Sequence, residues 1–580
     1  MKKWIIIWAV VAIAAYAVGL HSCNNYRASR APADWLYISP TGNNTTGNGT
    51  AAAPWATLTY ACTQATSGDT IFVTAGNYTE TARAALPVSV SILGDSTNIP
   101  VITYTYAASG TRDGAIYLNS AAGAPTNGNQ SISYINLNGS SLTSNRAIAV
   151  NYRYNVDVHH CTIENFDDTG VWFYVSPSYA HATGNSVYNC TINNCSSAAS
   201  GFAGCVRFEG QDGFLCYDNT ISNKDRVAGT NGTCINSDNN VRYRLYDNTF
   251  YRNDHEDDDW NFFLEMWDYQ GDCEIYDNTF YGLATLDFSG SVNEIIAGCT
   301  YGLKIYNNKM INSANGLYTK PTDTKAIIAI TIENGGHEKV YIYNNLIQRF
   351  GWGIELATAT SETGGTWDQD WVMKDIYIYN NIIEGVGYSD YQYCYGFLYL
   401  NETNLDGFTV TTDNINILNN TITAMVGSTY QGIRFSGGDT LSNLNIKNNI
   451  IQGFDSYGIY LGEHATDGLS MTNVAVTYNC MNGNGTNTVG IDGDIVQTNF
   501  AVATGNITTA PAFQTNSLRL SSTSPCINAG LSVGLTSDYF GHRVPQQDTV
   551  DIGAHEYGDY LVKFGGKYLM DGNGKFKIIH

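Results

Sequence analysis

One short motif returns eleven times along this 580-residue chain, and nothing else in the sequence restricts its fold so tightly. The copies HHCTI, YNCTI, YDNTI, YDNTF, YDNTF, YNNKM, YNNLI, YNNII, LNNTI, KNNII and YNCMN put their third residue at 161, 190, 219, 248, 278, 308, 345, 381, 420, 449 and 480. The steps are 29, 29, 29, 30, 30, 37, 36, 39, 29 and 31 residues. Self-similarity at this spacing marks a solenoid, in which each copy buries its apolar side only against its neighbours.

Each copy carries a short alternating run, such as Tyr341-Ile342-Tyr343, then a pair such as Asn344-Asn345, then an apolar residue such as Ile347. Alternation over so few residues is strand-like and leaves no room for a helix of ten or more. A helix-free repeat of about 30 residues closes a turn only as several strands joined by bends. Asn suits such bends because it tolerates the left-handed region. Inward Asn amides can also bond to one another up the stack, satisfying polar groups in a dry core. With 60 Asn, 58 Gly, 41 Tyr and only 14% charged residues, the composition favours turns and strands and excludes long helices and coiled coils. The fold read from the residues is a parallel β-helix.

A second stripe recurs at nearly the same place in successive copies: Gly170-Val171-Trp172-Phe173, Val206-Arg207-Phe208, Leu264-Glu265-Met266, Ile330-Thr331-Ile332, Gly353-Ile354-Glu355-Leu356, Leu398-Tyr399-Leu400, Gly432-Ile433-Arg434-Phe435 and Gly458-Ile459-Tyr460-Leu461. Its in-out-in alternation predicts one sheet with the apolar members facing the core. The outward members are Trp172, Arg207, Asn236, Glu265, Thr331, Glu355, Tyr399, Arg434 and Tyr460, with Tyr174, Glu209, Asp238, Trp267, Glu333 and Asn401 two residues further on. Aromatic faces suit the C–H faces of sugars, and carboxylates, amides and guanidinium groups suit their hydroxyls. The plainer alternative is a solvated sheet face with scattered aromatics.

The ionisable members bunch at Arg207, Glu209, Asp238, Glu265 and Asp268, and adjacent rungs would bring these carboxylates within about 5 to 10 Å, the range of paired-carboxylate glycosidases. A crowded carboxyl would have a raised pKa and act as an acid, with Arg207 as the anion-binding group. The acidic run containing Asp254, Glu256 and Asp257 offers hard oxygen ligands of the kind calcium takes, without EF-hand spacing; a solvated loop is the plainer reading. No nucleophile elbow, P-loop, zinc spacing or dinucleotide fingerprint is present.

The balance of 29 basic against 52 acidic residues, a net charge of −23, argues against a nucleic-acid partner. Residues 1–22 read as an export signal: Lys2 and Lys3 precede an apolar run from Trp4 to Leu20, with an uncleaved N-terminal anchor as the alternative. Leu20-His21-Ser22-Cys23 resembles a bacterial lipobox, which implies lipidation at Cys23 and a membrane-tethered protein of the cell envelope, or else an extracellular one. The 13 cysteines become 12 if Cys23 carries lipid. Cys161, Cys190 and Cys480 fall where other copies have Asn, and Cys205 and Cys234 lie one repeat apart, so they read first as small buried residues, with disulfides between neighbouring rungs as the alternative.

Taken whole, Trp35 to Tyr557 resembles the right-handed parallel β-helix proteins of the pectate-lyase-like superfamily. The resemblance rests on the opening WLYISPTGNNTTGNGTAAAPWATLTYACTQATSGDTIFVTAGNYTE, on the repeats, and on the closing SPCINAG and VDIGAHEY. It implies a single-stranded all-β solenoid of about eleven or more coils, with a short N-terminal capping helix opened by Pro54-Trp55-Ala56-Thr57-Leu58. The expected organisation is a linker over 23–34, cap and first coils over 35–130, repeats over 131–500, a closing segment over 501–557 and a hairpin or tail over 558–580. The superfamily holds lyases, hydrolases, isomerases, tailspikes and adhesins, so the resemblance implies fold more than chemistry. Three functions remain open: a polysaccharide lyase or glycoside hydrolase, a non-catalytic carbohydrate-binding surface protein, and a phage-like fibre.

Overall fold

The computed structural model describes residues 35–106, 112–140, 146–195, 204–222, 233–252, 262–290, 295–312, 327–359, 370–387, 393–402, 409–425, 430–437, 439–462 and 469–558, with two short strands further on. Cys23 and the acidic run with Asp254, Glu256 and Asp257 lie outside the described residues.

Three parallel sheets of 16, 14 and 14 strands run the length of a right-handed β-helix, each strand pairing with its counterpart one turn later. The single helix among the described residues, Leu58–Gln64, caps the first coil. Its Thr57 side chain accepts from the Tyr60 N–H, and the Glu80 carboxylate accepts from the Leu58 and Thr59 N–H groups at 2.5 and 3.2 Å, so its free N-terminal donors are satisfied. Beyond the solenoid, Tyr568–Met570 and Phe576–Ile578 pair antiparallel as a hairpin.

The paired residues of the motif divide two tasks. The first member takes the left-handed bend, with φ of 54° at Asp218, 56° at Asn307 and 55° at Asn344. The second points inward and joins an amide column. Asn345 Nδ2 donates to Asn381 Oδ1 at 3.0 Å and to the Ile305 carbonyl at 2.9 Å, while its Oδ1 accepts from the Asn308 backbone N–H and Nδ2, both at 3.1 Å. The same pattern links Asn219, Asn248, Asn278, Asn308, Asn345, Asn381, Asn420, Asn449 and Asn479. It ends on Asn506, which lies outside the eleven copies of the motif. In the last copy Tyr478 takes the bend at φ 58° and Asn479 the ladder, so Cys480 sits one residue past the place expected for it. It pairs with Ile450 instead. Cys161 and Cys190 do replace the ladder Asn, their thiols donating to carbonyls at 3.3 to 3.7 Å.

Outside this column the tyrosines of the motif stack on one another. From Tyr188 through Tyr217, Tyr246, Tyr276, Tyr306 and Tyr343 to Tyr379, ring centroids lie 4.8 to 5.0 Å apart and planes diverge by 1° to 6°. Flat stacking at the strand spacing holds neighbouring turns in register from the outside, as the amides do from within.

Candidate functional site

The second stripe forms one of the 14-stranded sheets. Its register sets Trp172, Arg207, Asn236, Glu265, Asp287, Thr331, Glu355, Leu398, Arg434 and Tyr460 in one outward column. A parallel column holds Tyr174, Glu209, Asp238, Trp267, Ser289 and Glu333. Val206, Phe208, Leu264, Met266, Ile330 and Ile332 fill the core behind them at 0% exposure.

Two features depart from the expected face. The expected phase of Leu398-Tyr399-Leu400 is inverted: Tyr399 is wholly buried, stacks on Phe435 at 5.3 Å, and meets Thr412 Oγ1 with its hydroxyl at 2.6 Å. It is a core residue and cannot touch a ligand on the sheet face. Asp287 and Ser289, in turn, belong to a turn absent from the expected stripe, the strand Thr285–Ser289.

The first aromatics also differ from the open platforms expected of them. Trp172 is 5% exposed, its ring lying 4.7 Å from the Arg207 guanidinium and 5.1 Å from that of Arg146. Tyr174, also 5% exposed, packs under Arg112 at 3.7 Å and against the Tyr152 ring at 5.6 Å. Cation–π contacts fill the space a sugar ring would need. At the far end Arg434 lies 4.5 Å from the Tyr460 ring, with both residues half-buried.

Between these ends sits a carboxylate patch. Glu209 accepts from Trp172 Nε1 at 3.0 Å and pairs with Arg207 Nε at 2.5 Å. One rung on, Asp238 is half-buried, and burial together with Asp268 and Glu209 pushes its carboxyl up to about 6. Glu265 accepts from Asn236 Nδ2 at 2.9 Å and Trp267 Nε1 at 3.3 Å; burial still raises its pKa. Asp287 is 2% exposed and hydrogen-bonded by Ser289 Oγ at 3.2 Å; burial, then Glu333 and Glu265, drive it well above the carboxylate range. Burial likewise raises half-buried Glu333. Glu355 accepts from Thr331 Oγ1 at 3.0 Å.

The structure therefore joins Arg207, Glu209, Asn236, Asp238, Glu265, Trp267, Asp268 and Glu333 in one neighbourhood and leaves Arg434 and Tyr460 apart from it. Of that group Arg207, Asp238, Trp267, Asp268 and Glu333 remain partly open to solvent.

Among the described residues, the one grouping of three potential metal donors, Asp538, His542 and His555, lies in the closing segment. His555 Nδ1 accepts from the Leu520 N–H at 3.0 Å, which leaves the neutral ring its proton on Nε2. Asp538 accepts from His542 and from the Glu556 N–H. This is a hydrogen-bonded clasp rather than a set of free lone pairs.

Residues 40–258 match a family model described as a protein of unknown function, DUF1565. No curated protein matches the chain. Among solved structures, it is similar to the complex of XylC with xylose at 10% identity, covering 90% of this chain and 98% of that one, with a TM-score of 0.41. The catalytic unit of the GH87 α-1,3-glucanase from Streptomyces thermodiastaticus strain HF3-3 is 14% identical, over 83% of this chain and 70% of that one, with a TM-score of 0.36. An alginate lyase from Paenibacillus sp. str. FPU-7 is 13% identical, over 57% of this chain and 95% of that one, with a TM-score of 0.28.

Proposed function

We propose that this chain binds a polysaccharide across the patch from Arg207 to Glu333 and cleaves its glycosidic bonds, with Asp238 as general acid and Glu209 as its paired carboxylate. The observation that carries the reading is the in-register placement of Arg207 and Glu209 beside Asn236 and Asp238, with Glu265 and Trp267 on the following rung. Asp238 combines access to solvent with a carboxyl raised to about 6, so near neutral pH part of the population holds the proton an acid must give. Glu209, held by Trp172 and Arg207, is oriented as a carboxylate. Among the described residues, Trp267 offers a half-open indole beside them. Export, with lipid at Cys23, is part of the same proposal, since it brings the site to extracellular glycans.

The burial of Glu265, Asp287 and Glu355 at 5%, 2% and 5% favours a second reading, in which these groups stiffen a non-catalytic glycan platform. A panel of neutral and uronate-containing glycans separates the two. Cleavage lowered by about 10² to 10⁴ in kcat by Asp238→Asn, with binding kept, supports the enzyme. Intact glycans retained on the protein would establish the platform instead, and unsaturated products would replace hydrolysis by lyase chemistry.

A further inference from the structure

Past the last coils the chain turns back along the outside of the solenoid. The bend asparagines that meet it are Asn380, whose Nδ2 donates to the Ser537 carbonyl at 2.7 Å, Asn419, whose Nδ2 lies 3.4 Å from the Asp551 and Gly553 carbonyls, and Asn448, which exchanges bonds with Leu531 at 2.7 and 2.9 Å. The Gly553 N–H reaches the Asn448 carbonyl at 2.7 Å, and the Ala554 N–H reaches Thr421 Oγ1 at 3.0 Å. Under these bonds lies a small apolar core of its own. Ile450 and Cys480 enter it from neighbouring strands of the third sheet; Leu520, Cys526 and Ile552 enter from the returning segment, and none exceeds 1% exposure. Here Cys480 and Cys526, 46 residues apart in sequence, share one buried cluster, and Cys526 is the neighbour that acts most strongly on the Cys480 thiol.

We propose that Cys480 and Cys526 form a disulfide that clips the returning segment to the last turns of the solenoid. The two sulfurs come from separate parts of the fold and meet in an apolar pocket, where the polar alternatives are few: Cys480 Sγ has the Thr509 carbonyl at 3.3 Å. Cys161 and Cys190 form the instructive contrast. They sit on adjacent rungs and also neighbour each other, but each thiol has two carbonyls within reach in the place of a ladder amide, so oxidation would take from the core the one hydrogen each thiol can donate.

The oxidant required is a small-molecule or protein disulfide. The thiolate of one cysteine attacks a sulfur of that disulfide, breaking its S–S bond and releasing one thiol. The other cysteine's sulfur then attacks the protein sulfur of the mixed disulfide and expels the second thiol. The protein loses two electrons and two protons, and the oxidant gains them as two thiols. The neighbouring Cys526 and then burial hold the Cys480 thiol above its ordinary pKa, so the exchange belongs to the stage before the returning segment docks. Closing a long loop in the unfolded chain stabilises the docked state in the loop-entropy picture.

The test uses the full chain refolded with oxidised glutathione, alkylated in denaturant and mapped by mass spectrometry without reduction. The expected result is one linked pair of peptides, carrying Cys480 and Cys526, that separates on reduction, with Cys161 and Cys190 alkylated. Limited proteolysis should leave the returning segment attached on a non-reducing gel and free it on a reducing one. Cys526→Ala, with its fold checked by circular dichroism, should make both readouts insensitive to reductant. Complete alkylation of Cys480 and Cys526 after oxidation, or a link between Cys161 and Cys190 in their place, would overturn the proposal, and the wild-type map decides it even if the variant does not fold.

Discussion

Replacing Asn345 by Ala removes one amide from the middle of the inner column, and the structure states what is lost. Four hydrogen bonds of 2.9 to 3.1 Å disappear, two donated by Nδ2 and two accepted by Oδ1. Asn308 keeps its bond to the Ile275 carbonyl at 2.9 Å, but its backbone N–H and its second amide hydrogen lose their acceptor in a site with no solvent. Each stranded buried donor costs about 1–3 kcal/mol, so the variant should lose about 3–5 kcal/mol. Asn345 is not in the left-handed region, so Ala fits its backbone and the loss is not a strain effect. The matched control is Asn445→Ala, where a half-buried amide gives up a single bond of 3.1 Å to Asn416 and the cost should stay near 1 kcal/mol. Denaturant unfolding gives the global difference. Hydrogen exchange shows its origin, because the Asn308 amide should lose protection before amides several turns away. Equal losses in the two variants, or undiminished protection at Asn308, would refute the claim that the amide column holds the turns together.

Asp238 has its folded pKa raised to about 6, so the folded state keeps a proton that the unfolded chain has already released. Its contribution to stability therefore grows as pH falls through the window from about 6 to about 4 and is lost as pH rises. Asp238→Asn should flatten that part of the stability profile by up to about 1.4 kcal/mol per pH unit, and an unchanged slope would contradict it. Tyr399→Phe should cost about 1 kcal/mol through its lost bond to Thr412 while leaving glycan affinity unchanged; weakened binding would return Tyr399 to the face. In a spectrophotometric titration, the stacked Tyr217, Tyr276 and Tyr343, pushed up to about 12 by burial and neighbouring charge, should ionise after tyrosines without such neighbours.

The solenoid and its inner amide column were legible in the sequence because they depend on chemistry repeated at one spacing. A bend needs a residue that tolerates positive φ, and a dry core needs a polar group that satisfies its own kind. Phase was legible only where polar and apolar residues alternate. The run Phe397-Leu398-Tyr399-Leu400 is apolar in both phases, so alternation cannot say which members face in. Gly396 supplies the missing mark: a Cβ there would meet the Gly432 carbonyl at 2.7 Å, and the aligned Gly353, Gly396, Gly432 and Gly458 each precede an inward residue. At the last copy Cys480 resembles the cysteines that replace Asn, and only the bond from the Asn449 N–H to Asn479 Oδ1 at 2.9 Å reveals the shift. Asp287 was hidden by distance, nine residues after Asn278, where Glu265 follows Asn248 by seventeen. Its signal was the inward pair Leu286 and Phe288. The covering of Trp172 and Tyr174 by Arg146, Arg207 and Arg112 was not legible, since contacts between turns depend on side-chain direction and not on spacing alone.

The proposal that neighbouring turns supply an acid and its partner across one sugar linkage is tested most directly by the anomeric configuration of the first product, followed by NMR on a glycan the protein cleaves. Glu209 and Asp238 stand on adjacent rungs in one column, and a strand spacing of about 4.8 Å places their carboxyls near the separation of about 5 Å that lets one act as nucleophile. The account predicts a first product that retains the configuration of the bond cleaved. Inverted product, or cleavage that survives Asp238→Asn undiminished, would contradict it.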